Sequence, residues 1–215
     1  GGDRAMALGR SYASGEDAFA AAIDDITGTH GAKAQHAVAI GKEALADGNS
    51  SLALGRDATA TSSVYPTAIG RAYSSGADSF AAAIANNTST YGAQGTSSIA
   101  MGHQSKSTGN YAVAIGSAQA TGSDYGVSIG YNARSSNHST VAIGREAGLG
   151  GSGSSSVSIG HESNSSGSDS LAIGRNVKAN ASSSVAIGAY ARVGGIIGKY
   201  AFANDYINGA GDAQQ

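Results

Sequence analysis

Apolar and small residues alternate along this chain in a four-residue phrase that returns with little variation: an apolar residue, Ala or Ser, a second apolar residue, then Gly. The apolar pairs are Val38 and Ile40, Leu52 and Leu54, Ile99 and Met101, Val113 and Ile115, Val127 and Ile129, Val141 and Ile143, Val157 and Ile159, Leu171 and Ile173, and Val185 and Ile187, while Ile69 follows a polar Thr67. The closing glycines are Gly41, Gly55, Gly70, Gly102, Gly116, Gly130, Gly144, Gly160, Gly174 and Gly188. The differences 55−41, 116−102, 130−116, 144−130, 174−160 and 188−174 are each 14. Alternation of period two is a strand pattern, and Gly at its end permits a positive φ or a tight corner. A repeat this short cannot bury its own apolar face, so it must stack.

A second alternation of small residues begins three residues past each glycine: Ala44 and Ala46, Ala58 and Ala60, Ser105 and Ser107, Ala133 and Ser135, Ser163 and Ser165, Val177 and Ala179. A second corner follows, often marked by glycine, as at Gly48, Gly109, Gly151, Gly167 and Gly195. Two strands of about five residues and two corners of about two fill the period, so each repeat predicts one coil of an all-β parallel roll rising about 4.8 Å to the next. Val and Ile of the first strand share one face and the intervening Ala takes the other. A coil this flat leaves one face for another chain. Burying a Val or Ile is worth roughly 1.5–3 kcal/mol, and a lone ribbon would expose an apolar stripe of the kind soluble monomers avoid. The pattern predicts an obligate oligomer, most simply cyclic, with the listed Val, Ile, Leu and Met residues as its trimer or roll core and the glycines as coil corners.

Composition supports stacking and narrows the function classes. Thirty-three Gly against one Pro, no Cys, no Trp and three Phe leave too little bulk for a conventional core. A net charge of −2 offers no basic field for nucleic acid or an anionic membrane. The absence of Cys excludes a disulfide framework and a thiolate metal site. No apolar run approaches about 18 residues and no signal peptide opens the chain, so this segment is expected neither to insert in a membrane nor to carry its own export address. Its ends, Gly1-Gly2 and Gln215, read as those of a piece of something longer.

The string Ser184-Val185-Ala186-Ile187-Gly188, its kin at 14-residue spacing and the Ala-x-Ala or Ser-x-Ser that follows are similar to the head repeat of trimeric autotransporter adhesins of the YadA type. The resemblance runs from Met6-Ala7-Leu8-Gly9 to Gly188. It implies a left-handed parallel β-roll, stacked as a homotrimer over residues 1–188, that binds host surfaces or matrix without any cofactor. It names no ligand, because such repeats are scaffold and recognition is grafted on them.

Departures from the repeat are candidates for specific function. Phe19-Ala20-Ala21-Ala22-Ile23-Asp24 and Phe80-Ala81-Ala82-Ala83-Ile84-Ala85 replace the motif, and each is followed by a 17-residue step to the next glycine, 41−24 and 102−85. Both belong to a duplication in which residues 11–41 align with 72–102 at an offset of 61. Three extra residues are expected to bulge from each, giving insertions near 24–36 and 85–97. They read either as tolerated solenoid loops or as a rim that contacts a glycan or protein receptor through Asp25, Thr27, Thr29 and His30, and through Asn87, Thr88, Thr90 and Tyr91. A third insertion, near 148–155, holds Gly148-Leu149-Gly150-Gly151-Ser152-Gly153 and reads as a flexible corner; as a phosphate loop it lacks a following helix and a lysine.

Basic residues follow the glycines at Arg10, Lys42, Arg56, Arg71, Arg145 and Arg175, with His103 and His161 in the same place, and acids come next at Glu43, Asp57, Glu146 and Glu162. Adjacent coils are thus expected to stack like charges. Glu43 with Asp57, or Glu146 with Glu162, imitate a glycosidase pair, but a solvated ion network explains them more simply. No Ser-His-Asp arrangement, metal-spaced His pair or calcium nonapeptide accompanies them. Beyond Gly188 the apolar residues grow larger, with Tyr190, Val193, Ile196, Ile197, Tyr200, Phe202, Tyr206 and Ile207, and 189–215 reads as a cap or a transition to a following fibre domain. Gly198 to Ala203 and Gly209 to Gln215 resemble the Gly-Asp-Ala-Gln segment that opens a C-terminal domain in phage tail proteins, and no heptad repeat is present. The expectation is a non-enzymatic homotrimeric fibre segment that attaches to a host-cell glycan or protein receptor, in a virion tail fibre. The alternative is the head of a bacterial surface adhesin, and the remote one a polysaccharide-degrading tailspike.

Overall fold

A computed structural model describes residues 2–61, 64–85, 88–122 and 124–204. The fold is an all-β parallel β-roll, with no helix among the described residues. It divides into two compact units, residues 1–111 and 112–215. In the first unit the strands Met6–Leu8, Phe19–Ala21, Val38–Ile40, Leu52–Leu54, Thr67–Ile69, Phe80–Ala82 and Ile99–Met101 form one parallel sheet. The other side of the roll is built from Gly31–Ala32, Leu45–Ala46, Thr59–Ala60, Tyr73–Ser74, Gly92–Ala93 and Lys106–Ser107. In the second unit Val113–Ile115, Val127–Ile129, Val141–Ile143, Val157–Ile159, Leu171–Arg175, Val185–Ala189 and Tyr200–Asn204 pair in the same manner. Gln119–Ala120 and Arg134–Ser135 pair behind them.

The strands are three and two residues long in most coils, shorter than the five expected from the period. Their corners consume the difference. Most regular coils carry a non-glycine residue at positive φ at both corners, such as Glu146 at 59° and Ser139 at 55°, where backbone N–H groups turn along the stacking direction. The Glu146 N–H donates to the Tyr131 carbonyl at 2.9 Å, and that of Ser155 to the His138 carbonyl at 2.9 Å, so the ladder of coil-to-coil bonds continues around the bends.

Beyond Met6–Leu8, whose Ala7 is exposed, the middle residue of the three-residue first strands points inward. Ala39, Ala53, Ala68, Ala114, Ala142, Ala172 and Ala186 are fully buried, facing Ala44, Ala46, Ala58, Ala60, Ala133 and Ala179 of the second strands. None of the residues read as trimer or roll core lies inside the roll. Val38, Ile40, Leu52, Ile69, Val113, Val127, Ile129, Val141, Ile143, Val157, Ile159, Leu171, Ile173, Val185 and Ile187 are half-buried on its outer face, and Leu54, Ile99, Met101 and Ile115 are exposed there. Two sheets so close together have room for methyl and hydroxymethyl groups only. Among the described residues the largest fully buried side chains are Ile23, Ile84, Val177, Val193, Thr140 and Pro66.

Ile23 and Ile84 mark a correction of register. Phe19 pairs with Val38 and Phe80 with Ile99, steps of 38−19 and 99−80, so each insertion exceeds the 14-residue period by five residues and not three. Ala22 and Ala83, at φ 56° and 55°, stand where other coils have the corner glycine. The third alanine of each Phe-Ala-Ala-Ala run therefore turns the chain, and the following Ile fills the interior of a widened coil.

Two coils place serines across the interior. Ser128 Oγ accepts the Ser135 N–H at 2.8 Å and lies 2.8 Å from Ser135 Oγ, and Ser158 and Ser165 repeat the arrangement at 2.9 and 2.6 Å. Ser128→Ala leaves the Ser135 hydroxyl without this partner in a dry interior and should cost about 1–3 kcal/mol in urea unfolding. The double variant with Ser135→Ala recreates the facing of Ala39 and Ala46 and should recover part of that loss.

Candidate functional site

The outer face of the first-strand sheet carries in-register columns of apolar side chains in each unit. Because strands pair in register, Val127, Val141 and Val157 stack in one column and Ile129, Ile143 and Ile159 in the next, with successive side chains about 4.8 Å apart. Leu171, Val185 and Tyr200 extend the first column and Ile173, Ile187 and Phe202 the second. In the first unit Phe19, Val38, Leu52, Thr67, Phe80 and Ile99 form the corresponding column. The result is an unpartnered apolar face on a roll whose own interior is already filled.

The corner that follows this sheet carries the glycines and the charges. All ten predicted corner glycines have positive φ, from 74° at Gly70 to 130° at Gly144. Opposite charges meet within and between coils, while the Glu146 and Glu162 carboxylates of adjacent coils stack like on like. Asp57, its side chain 10 % exposed, lies 3.5 Å from both Arg56 and Arg71. Asp24 lies 3.4 Å from Arg10 and 3.9 Å from Lys42, and Lys42 is 3.6 Å from Glu43. In the second unit Arg175 sits 5.0 Å from the centre of the Tyr190 ring, a cation–π contact.

The family model described as YadA head domain repeat (2 copies) matches residues 32–63, 93–118, 120–147 and 152–176, together more than half of the chain. The chain belongs to the YadA head-repeat family. No curated protein matches it. The residues between the matches, 64–92, 119 and 148–151, include part of the second insertion of the duplication and part of the glycine-rich corner, where these YadA head repeats depart from their own period. The parallel coils, small interior residues and apolar outer columns are the physical content of the repeat, and they make this segment an adhesin-like fibre or head module.

Of the candidate receptor contacts, the structure brings Asp25, Thr27, Thr29 and His30 into one loop. The Asp25 carboxylate accepts the Thr27 hydroxyl at 2.6 Å, the Thr27 N–H at 2.7 Å and the His30 N–H at 2.9 Å, with His30 Nδ1 3.2 Å away. These bonds, the Thr27 hydroxyl foremost, hold the carboxyl well below the usual carboxylate range. Asp25 is thus the internal fastener of the loop, its side chain 12 % exposed, while Ile26, Thr27 and Thr29 face solvent. Asp25→Ala should speed hydrogen exchange at the Thr27 and His30 amides at neutral pH. In the native protein the lowered pKa preserves this protection as pH falls past the ordinary carboxylate value, and it should fade only in stronger acid, which exchange measured across the acid range checks.

The second loop is fastened differently. Gln94 Nε2 donates to the Ser89 carbonyl at 2.6 Å and the Tyr91 carbonyl at 3.3 Å. Thr88 and Thr90 are exposed, whereas Tyr91 packs against the alanine core; Asn87 lies outside the described residues. Sequence reasoning missed the roles of Tyr12 and Tyr73. The Tyr12 ring lies beneath Gly28, and the carbonyls of Tyr12 and Tyr73 sit where a Cβ on Gly31 or Gly92 would fall. The offset of 61 was the available signal.

In the second unit, donor atoms of Glu146, His161 and Glu162 lie within 4.8 Å of one another. Arg145 Nη2 is 2.7 Å from His161 Nε2, and the same nitrogen lies 3.3 Å from Glu162 Oε1. Asn176 Nδ2 donates to Glu162 Oε2 at 2.8 Å. With the imidazole nitrogen occupied and a guanidinium alongside, the cluster is poorly arranged for a metal ion. Of the terminal segment 189–215, Tyr200–Asn204 adds one further strand to the roll, while Ile196 and Ile197 are exposed. Tyr206, Ile207 and the Gly209 to Gln215 segment lie outside the described residues.

Proposed function

We propose that this segment is a homotrimeric, non-enzymatic fibre module that attaches to a host-cell surface, as part of a phage or virion tail fibre. The supporting observation is the outer face of Val, Ile and Leu columns in each unit, which the chain's own fold leaves uncovered. Three copies facing one another would bury these columns around an axis and leave the charged corners and the Asp25 and Thr88 loops outward. Repeated weak contacts on three identical faces then give avidity. The resemblance of the terminal residues to phage tail proteins favours the virion reading; membership of the YadA head family favours a bacterial surface adhesin head. Fluorescently labelled segment incubated with bacterial cells and with mammalian cells or matrix separates the two. Retention on bacteria supports the tail fibre, retention on mammalian cells or matrix supports the adhesin head, and retention on none of them overturns attachment by this segment.

A further inference from the structure

The 16-residue step between Val141 and Val157 builds something the regular coils do not need. Its extra residues form the corner Gly148 to Gly153, tied down by the Gly148 N–H to the Ser163 carbonyl at 2.8 Å and the Gly151 N–H to the Gly148 carbonyl at 3.2 Å. Leu149 is pushed outward to 40 % exposure. Beneath it lies an open concavity of about 340 Å³, lined by Glu146, Leu149, Glu162, Asn164, Asn176 and Lys178 from three successive coils. That volume falls at the lower end of the range of about 300–1,000 Å³ typical of small-molecule sites.

The polar groups in this concavity are not consumed by the fold. Among the described residues, the Glu146 carboxylate, the Asn164 carboxamide and the Lys178 ammonium make no hydrogen bond or ion pair. A carboxylate accepts from neighbouring hydroxyls, a carboxamide both donates and accepts, and an ammonium donates. Leu149 adds an apolar patch on the same wall. We propose that the concavity binds an amino or neutral hexopyranose. A ring bearing hydroxyls on its edge and C–H groups on its face matches this set. A uronate matches less well, because the Glu146 and Glu162 carboxylates, with oxygens within 4.8 Å, outnumber the single Lys178 ammonium of the lining and oppose a third negative charge. A divalent cation is disfavoured by the Arg145 guanidinium that occupies His161 Nε2.

The proposal deepens the attachment reading and takes from it only the source of the sugar, a glycan on the host surface. Saturation-transfer NMR on the intact segment with D-glucosamine, D-galactose and D-glucuronate tests it. Transfer to glucosamine or galactose but not glucuronate is expected, with affinity reduced about tenfold in Glu146→Gln and in Asn164→Ala. Gly150→Ala gives an independent check, since its Cβ would fall 2.1 Å from Asn164 Nδ2 and displace that carboxamide; it should weaken the same sugar. Circular dichroism confirms that each variant remains folded. Transfer to neither glucosamine nor galactose, preferred binding of glucuronate, or binding unchanged in folded Glu146→Gln and Asn164→Ala overturns the site. A segment that adheres to cells yet takes up neither sugar leaves attachment standing without this site. One that binds glucosamine here but adheres to no cell keeps the site and removes attachment.

Discussion

Ile143→Asp is expected to abolish the trimer. Ile143 sits mid-column between Ile129 and Ile159 on the outer face, half-buried in the single chain, so the change leaves the alanine interior untouched. In a trimer that buries this face, it would bring three carboxylates together near one axis. Removing an ion from water costs on the order of several kcal/mol each, and like charges add to that cost. Sedimentation should show loss of the trimer, and a trimer that survives Ile143→Asp would refute burial of this face. Ala142→Asp is the contrasting variant. Its side chain would enter the interior, where Ala142 is fully buried, and should unfold the roll itself, seen as loss of β-sheet circular dichroism.

Gly174→Ala should be among the most damaging single methyls in the described residues. Gly174 has φ +127°, and a Cβ there would lie 1.7 Å from the Gly188 carbonyl oxygen and 2.7 Å from its carbon. The obstacle is the backbone of the next coil and cannot rotate away. Strain at such a φ costs about 1–3 kcal/mol by itself, and parting two coils breaks ladder bonds as well. A loss of at least about 3 kcal/mol is expected, read as a fall in the urea midpoint. Gly194→Ala is the control: its φ is +63° and nothing lies within 4 Å of the added Cβ, so it should cost about 1–2 kcal/mol. Equal losses in the two variants would mean that the coil-to-coil approach at Gly174 is unimportant.

Much of this architecture was legible because the period is short and strict. Fourteen residues between glycines leave room for two strands and two bends, and Val-Ala-Ile-Gly can alternate only by sending Ala to one side and Val and Ile to the other. What failed was counting through the insertions. Phe19-Ala20-Ala21-Ala22 contains no glycine, so the corner at Ala22 was invisible and the register came out two residues short. The burial of Ile23 and Ile84 was hidden for the same reason. At the candidate loops, Asp25 stood out as a polar group for a receptor, yet its carboxylate turns inward because three donors on Thr27 and His30 surround it. The concavity beside Leu149 was read as a flexible corner, since its walls come from coils about 14 and 30 residues apart in sequence.

By itself, then, the sequence determined the parallel roll, its pitch, its glycine corners and the existence of an uncovered apolar stripe, because each follows from local alternation and a repeated spacing. Only the tertiary structure decided which face of each strand lies inside, where the insertions begin, and which polar groups are already satisfied. Those depend on how closely two sheets approach and on which coils stack across an insertion. The narrow gap admits Ala and Ser and turns Val and Ile outward, a choice that alternation alone leaves open.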